Sequence, residues 1–304
     1  MTDQTPRAGA PSVYRFAPSP NGRLHLGHAL SALICHGQAR RAGGRFLLRI
    51  EDIDIGRCRP EHIDGIIEDL TWFGLDWDGP VLRQSEHFDI YRAATRRLQA
   101  LGVLYPCFAT RREIAEAVVA RGDATARDPD GAPLYPGLFK GRDEREILER
   151  LARGEPHALR LDMARAREIA ARALAGGDLA FTETGFDGEA RRVVARPERW
   201  GDAIIVRKDV PTSYHLAVVV DDARQAVTHV TRGRDLLAAT DLHRLLQVLL
   251  DLPEPVYHHH RLIADAAGRK LSKSAGDTSL AALRELGVTP AEIRRMVDST
   301  QDAG

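Results

Sequence analysis

Two histidines three residues apart, His25 and His28, stand near the expected start of a helix, and two lysines three apart, Lys270 and Lys273, recur far downstream in KLSKS. The stretch 13–28, VYRFAPSPNGRLHLGH, predicts a strand over Val13 to Phe16. A loop punctuated by Pro18, Pro20 and Gly22 follows, then a helix beginning near His25. A helix N-terminus presents unpaired N–H groups and a partial positive charge to an anion, and side chains three apart share one face. The chemistry these residues suit is stabilisation of phosphate charge. Only four of the 43 basic residues are lysines, Lys140, Lys208, Lys270 and Lys273. Two of the four in one pentapeptide indicate that a compact ammonium is wanted there.

The elements around them supply a second set of polar groups. Ala29 to Arg41 predicts a helix ended by Gly43 and Gly44, and Arg45 to Ile50 a buried strand that empties into Glu51, Asp52 and Asp54. In open α/β sheets ligands bind beyond the C-terminal ends of strands, where strand order reverses. Glu61 to Phe73 and Glu86 to Leu101 carry apolar stripes and are expected to be scaffold, Trp72 and Trp77 included. Asp202 to Arg207 and Leu216 to Val220 are expected to be short apolar strands, the second ending in Asp221 and Asp222 and preceded by Tyr214. Arg232 and Gly233 are expected in a loop before a helix over Leu236 to Leu250. The tail after Ser274 holds Leu280, Leu283, Leu286, Ile293 and Val297, enough for one or two small helices.

HLGH and KLSKS together resemble the paired ATP-binding signatures of class I aminoacyl-tRNA synthetases. RFAPSPNGRLHLGH, LLRIEDID at 47–54, YHLAVVVDD at 214–222 and VTRGRDLL at 230–237 resemble the glutamyl branch in the same order, so the likeness spans residues 13–274. It implies an α/β fold: a Rossmann-like parallel sheet, an inserted α+β acceptor-type subdomain and a short C-terminal helical segment. The expected division is a loose tail over 1–11, a nucleotide-binding domain over 12–109 and 199–275, the insertion at 110–198, and a helical tail at 276–304. The resemblance implies catalytic roles for His25, His28, Lys270 and Lys273. ATP would be held by Pro18, Gly22, His25, Gly27, His28, Lys270, Ser272 and Lys273, and glutamate by Arg15, Ala17, Ser19, Glu51, Tyr214 and Arg232.

The activity so implied is activation of L-glutamate by ATP, with Mg²⁺ carried on the nucleotide, independent of tRNA. The second step would transfer glutamate to RNA. A conventional glutamyl synthetase continues with a large helical anticodon-binding region, for which thirty residues leave no room. Short members of the branch act on queuosine at the wobble position of tRNA(Asp), so the anticodon arm is the expected partner. The alternatives are a truncated synthetase charging the 3′ end of tRNA(Glu), an RNA-independent HxGH nucleotidyltransferase, and a non-catalytic RNA-binding remnant.

Composition bounds these readings. At 304 residues the chain can form a sizeable core, and 43 basic against 43 acidic residues mean that any RNA contact must come from a local face. No signal-like or membrane-length apolar run is present, and Cys35, Cys58 and Cys107 are too few and too scattered for a disulfide framework. A cytoplasmic monomer is expected. Short members of the branch often carry a structural zinc site beginning Cys-x-Cys, but here the stretch is Cys107-Phe108-Ala109, and YPGLFK at 135–140 adds no thiol. Zinc needs about four ligands, so no metal is expected there. His258, His259 and His260 alternate faces on an extended segment and are not expected to share an ion.

Overall fold

The computed structural model describes residues 11–122, 126–185, 188–263 and 278–299. Lys270, Ser272 and Lys273 therefore lie outside the described residues, as does most of the 1–11 tail. The chain opens with β1 (Val13–Phe16), α1 (Leu26–Arg41) and β2 (Arg45–Ile50). Gly44 lets β2 begin against β1, because a Cβ there would stand 2.3 Å from the Ser12 carbonyl oxygen. Next come α2 (Pro60–Trp72), the short β3 (Leu82–Arg83) and α3 (Phe88–Ala100).

The middle of the chain contributes β4 (Leu104–Cys107), α4 (Arg111–Ala120), α5 (Glu144–Ala152), β5 (Ala158–Leu161) and α6 (Met163–Ala173). It continues through β6 (Ala180–Thr184), β7 (Ala190–Val194) and β8 (Ile204–Val206). The last third holds α7 (Tyr214–Arg224), β9 (His229–Gly233), α8 (Leu237–Leu249), β10 (Val256–His260), α9 (Leu280–Glu285) and α10 (Pro290–Ser299).

Seven strands form one sheet in the order β3-β2-β1-β9-β10-β6-β7, parallel except for the β6/β7 pair. The chain moves outward from β1 to β2 and β3, then returns to lay β9 on the other side of β1. Strand order thus reverses between β1 and β9. A second, antiparallel sheet runs β4-β5-β8. Hydrogen bonding crosses the expected 110–198 boundary in both directions: β6 and β7 join the main sheet, whereas β4 and β8, outside that span, join the small one.

Two expectations are corrected. The segment from Tyr214 is helix α7, with Leu216 to Asp222 all buried, because a helix packed on every side is as uniformly apolar as a buried strand. Arg232 is not in a loop but near the end of strand β9, and α8 begins five residues after it. The C-terminal helices are no isolated rod. Leu280 and Ile293 are buried in the core formed by β1, β2, α1 and α2, and Val297 packs with Leu30 of α1. No helix among the described residues is long and apolar enough to cross a membrane.

Candidate active site

The C-terminal ends of β1, β2, β9 and β10 border a cleft of about 530 Å³ whose lining includes Arg15, Ser19, His25, His28, Glu51, Tyr214, Arg232 and His260. Ala17, Pro18 and Gly27 also line it; Gly22, expected at the phosphates, does not. It adjoins a second cavity of about 1090 Å³ that shares Ser19, Asn21, Glu51 and Tyr214 in its lining and is also lined by Arg57, Arg111, Arg160, Arg207 and Lys208. That cavity lies toward the small sheet.

At one end of the cleft the two histidines cap α1 reciprocally. Gly27 N–H donates to His25 Nδ1 at 3.1 Å, and His25 N–H donates to His28 Nδ1 at 3.2 Å, with the ring centroids 3.9 Å apart. An Nδ1 that accepts carries no proton, so each ring is the neutral tautomer with its hydrogen on Nε2. The pair offers hydrogen-bond donors at a positive helix end, not two full cations. A Cβ at 27 would stand 3.0 Å from His25 Cε1 and 3.2 Å from its Nδ1, so a larger residue there would have to displace the capping ring by a few tenths of an ångström.

The floor is a buried charge network. Asp222 of α7 accepts from Arg15 Nε at 3.0 Å and pairs with Arg49 Nη1 at 2.8 Å, while Arg49 Nη2 reaches Glu51 Oε1 at 3.3 Å. Burial opposes ionisation of Asp222, but the two arginines outweigh it and hold its carboxyl below the usual range. Burial pushes the Glu51 carboxyl up, against the pull of Arg49 and Arg15. Asp221 accepts from Gln84 Nε2 at 2.8 Å and Tyr91 Oη at 2.7 Å. Asp221 and Asp222, expected at a strand end, thus serve the site from inside a helix. Arg15 enters the cleft with its Nε–H already committed.

Arg232 differs. It is 5% exposed, and its donors go to Thr240 Oγ1 (2.7 Å), His259 Nε2 (3.1 Å), Tyr214 Oη (3.2 Å) and His243 Nδ1 (3.3 Å). Every partner is an oxygen or nitrogen of a neutral group. Among the described residues no carboxylate pairs with it directly. A buried cation without a counter-ion is costly unless a ligand supplies the negative charge. Nothing in the sequence pattern marked His243, Thr240 or His259 as members of this site. His243 and Thr240 lie on α8 and His259 on β10, and only the packing of α8 over β9 and β10 brings them to Arg232.

The residues at the expected zinc position do not fit a metal. Cys107 Sγ donates to Tyr135 Oη at 3.3 Å, and that oxygen also accepts from Phe139 N–H at 2.9 Å. Around them Phe108 meets Phe139 and His157, Arg150 lies 4.2 Å above the Phe108 ring, and Arg160 lies 3.8 Å above the Tyr135 ring. One thiol and an engaged phenol cannot supply four ligands. Among the described residues no three metal-ligating side chains cluster.

Residues 12–299 match the family described as tRNA synthetases class I (E and Q), catalytic domain. The chain is similar to the glutamyl-Q tRNA(Asp) synthetase of Rhodobacter capsulatus, with 47% identity over 94% of this chain and 99% of that protein. The glutamyl-Q tRNA(Asp) synthetase of Symbiobacterium thermophilum is 40% identical over 91% of this chain and 82% of its own length. Among solved structures, a glutamate tRNA ligase from Elizabethkingia meningosepticum in complex with its amino acid superposes with a TM-score of 0.70 at 31% identity, over 88% of this chain. The chain spans about half of that ligase, 53%.

Proposed function

Since the chain belongs to the class I tRNA synthetases of the glutamate and glutamine branch, we propose that it joins L-glutamate to ATP and then esterifies the queuosine of tRNA(Asp). The observation that carries the first half is the cleft itself, with a histidine-capped helix N-terminus at one end and, at the other, a buried arginine that no carboxylate among the described residues contacts. A glutamate fits it with its side-chain carboxylate on Arg232 and Tyr214, supported by the two remaining Arg15 nitrogens. Its ammonium faces Glu51 and Ser19.

In the first step an oxygen of the glutamate α-carboxylate attacks the α-phosphorus of ATP. The bond from that phosphorus to the bridging oxygen breaks, and pyrophosphate leaves with Mg²⁺ held mainly by phosphate oxygens and water. His25 and His28, as Nε2–H donors, stabilise charge growing on the phosphates. Lys270, Ser272 and Lys273, carried over from the family signature, would complete the phosphate contacts. In the second step a hydroxyl of the acceptor attacks the activated carbonyl carbon, AMP leaves, and the hydroxyl proton is lost. The 1090 Å³ cavity, lined by Glu51, Tyr214 and arginines, suits a splayed nucleoside with its flanking phosphates.

Support for queuosine as the acceptor comes from the 47% identity to a protein of that name over nearly its whole length. The test uses pure protein, ATP and labelled glutamate. Pyrophosphate exchange should require glutamate and no RNA, glutamine should not replace it, and label should appear on tRNA(Asp) carrying queuosine but not on tRNA(Asp) from cells unable to make that base. Label on the 3′ end of tRNA(Glu), abolished by periodate, would establish the other acceptor.

A further inference from the structure

Arg232 is held by four acceptors in fixed protonation states. An arginine N–H only donates, so His259 Nε2 and His243 Nδ1 must each present a lone pair. His259 is then bound to carry its proton on Nδ1, which donates to Glu183 Oε2 at 2.7 Å. His243 carries its own on Nε2, 3.2 Å from His215 Nδ1. Both imidazoles are therefore neutral, as is Thr240. Among the described residues the socket fixes the guanidinium in space with no carboxylate in contact with it. Glu183 is kept one imidazole away. This arrangement contrasts with Arg15, fixed by the carboxylate of Asp222.

Resting on the reading of Arg232 as the contact for the substrate's side-chain carboxylate, we propose that His243, His259 and Thr240 are positioning residues whose neutrality sets the preference for glutamate over glutamine. A carboxylate at any of these positions would pair with Arg232 permanently and occupy the place of the substrate anion. Burial lowers the basicity of both histidines, which keeps them neutral near pH 7.

The experiment compares matched substitutions that differ in charge alone, H243N against H243D and T240N against T240D, in glutamate-dependent pyrophosphate exchange. Alongside it run thermal unfolding and binding of a non-hydrolysable ATP analogue. Both Asp variants should raise the glutamate KM by about 30- to 1,000-fold, the range for losing a buried charge pair. They should bind the analogue as wild type does, unfold at the same or a higher temperature because a buried cation has gained a partner, and discriminate less against glutamine. The Asn variants, which keep a neutral acceptor, should stay within about fivefold of the wild-type KM, the scale of one uncharged hydrogen bond. A merely structural role would make Asp and Asn variants alike. Equal KM values within a pair, or Asp variants that unfold earlier than their Asn counterparts, would overturn the proposal. Wild-type protein without any glutamate-dependent exchange would instead sink the functional reading beneath it.

Discussion

At the scale of single residues, the site sets neutral donors beside Arg232, a buried cation that no carboxylate among the described residues contacts. If His28 offers its Nε2–H where phosphate charge develops, as proposed, His28→Ala should lower kcat for exchange by about 10²–10³ while leaving the glutamate KM little changed. A raised glutamate KM at unchanged kcat would place His28 at the wrong substrate. Gly27→Ala tests the cap directly. Its methyl would press on the His25 ring, and exchange should fall at least about tenfold, the scale of one misplaced transition-state contact. The imidazole of the half-buried His215 packs against Trp200 and His243, and desolvation, then Arg232, lowers its pKa to about 4. Its folded pKa lies below its unfolded one, so the unfolded chain binds the extra proton between about pH 6.5 and 4, and stability is lost as pH falls through that window. Carboxyls with raised pKa values, such as Asp69 at about 6, act in the opposite sense. The measurable quantity is therefore a difference: stability should fall less steeply over this window in His215→Gln than in wild type. Parallel curves would show that His215 does not titrate there.

Elements carry the next layer of explanation. The Cys107 corner joins β4 to the loop at 135–140 through packed rings and two arginines. Purified protein should contain no stoichiometric zinc, and a chelator should leave its unfolding temperature unchanged. Arg150→Ala should destabilise by about 1–2 kcal/mol, since the guanidinium covers two aromatic faces. About one zinc per chain by elemental analysis would refute this account. The helix α7 shows why one element was misread. YHLAVVV has neither the alternation of a half-buried strand nor the stripe of an amphipathic helix, because α3 and α8 cover it from both sides. That same burial lets Asp222 fix Arg15 and Arg49 in the floor of the site.

In the whole molecule, the last two helices pack on the first two. Arg284 of α9 pairs with Glu68 at 2.8 Å, Arg294 of α10 donates to the Phe73 carbonyl at 2.7 Å, and Ile293 is fully buried beside α1 and α2. Because α1 begins at the His25 cap, proposed to face the phosphates, its seating should reach the site. Ile293→Ala should cost about 2–4 kcal/mol in urea unfolding, the usual range for emptying a core position, and should raise the KM for ATP more than that for glutamate. Unchanged ATP kinetics after that loss would mean this packing serves stability alone.

What the sequence by itself determined was the local chemistry: a strand, a proline-punctuated loop and a helix led by HLGH, and the strand that leads into Glu51. Those signals are short-range, carried by residues within one turn or one strand of each other. It also yielded Arg15, Tyr214 and Arg232 through resemblance, without indicating how they differ. Only the tertiary structure decided that Arg15 is neutralised by Asp222 while Arg232 meets no carboxylate among the described residues, because the deciding partners lie 207 residues away in one case and on α8 and β10 in the other. Charge balance inside a protein is a property of what packs around a group, and the sequence records the group while only the fold supplies its neighbours.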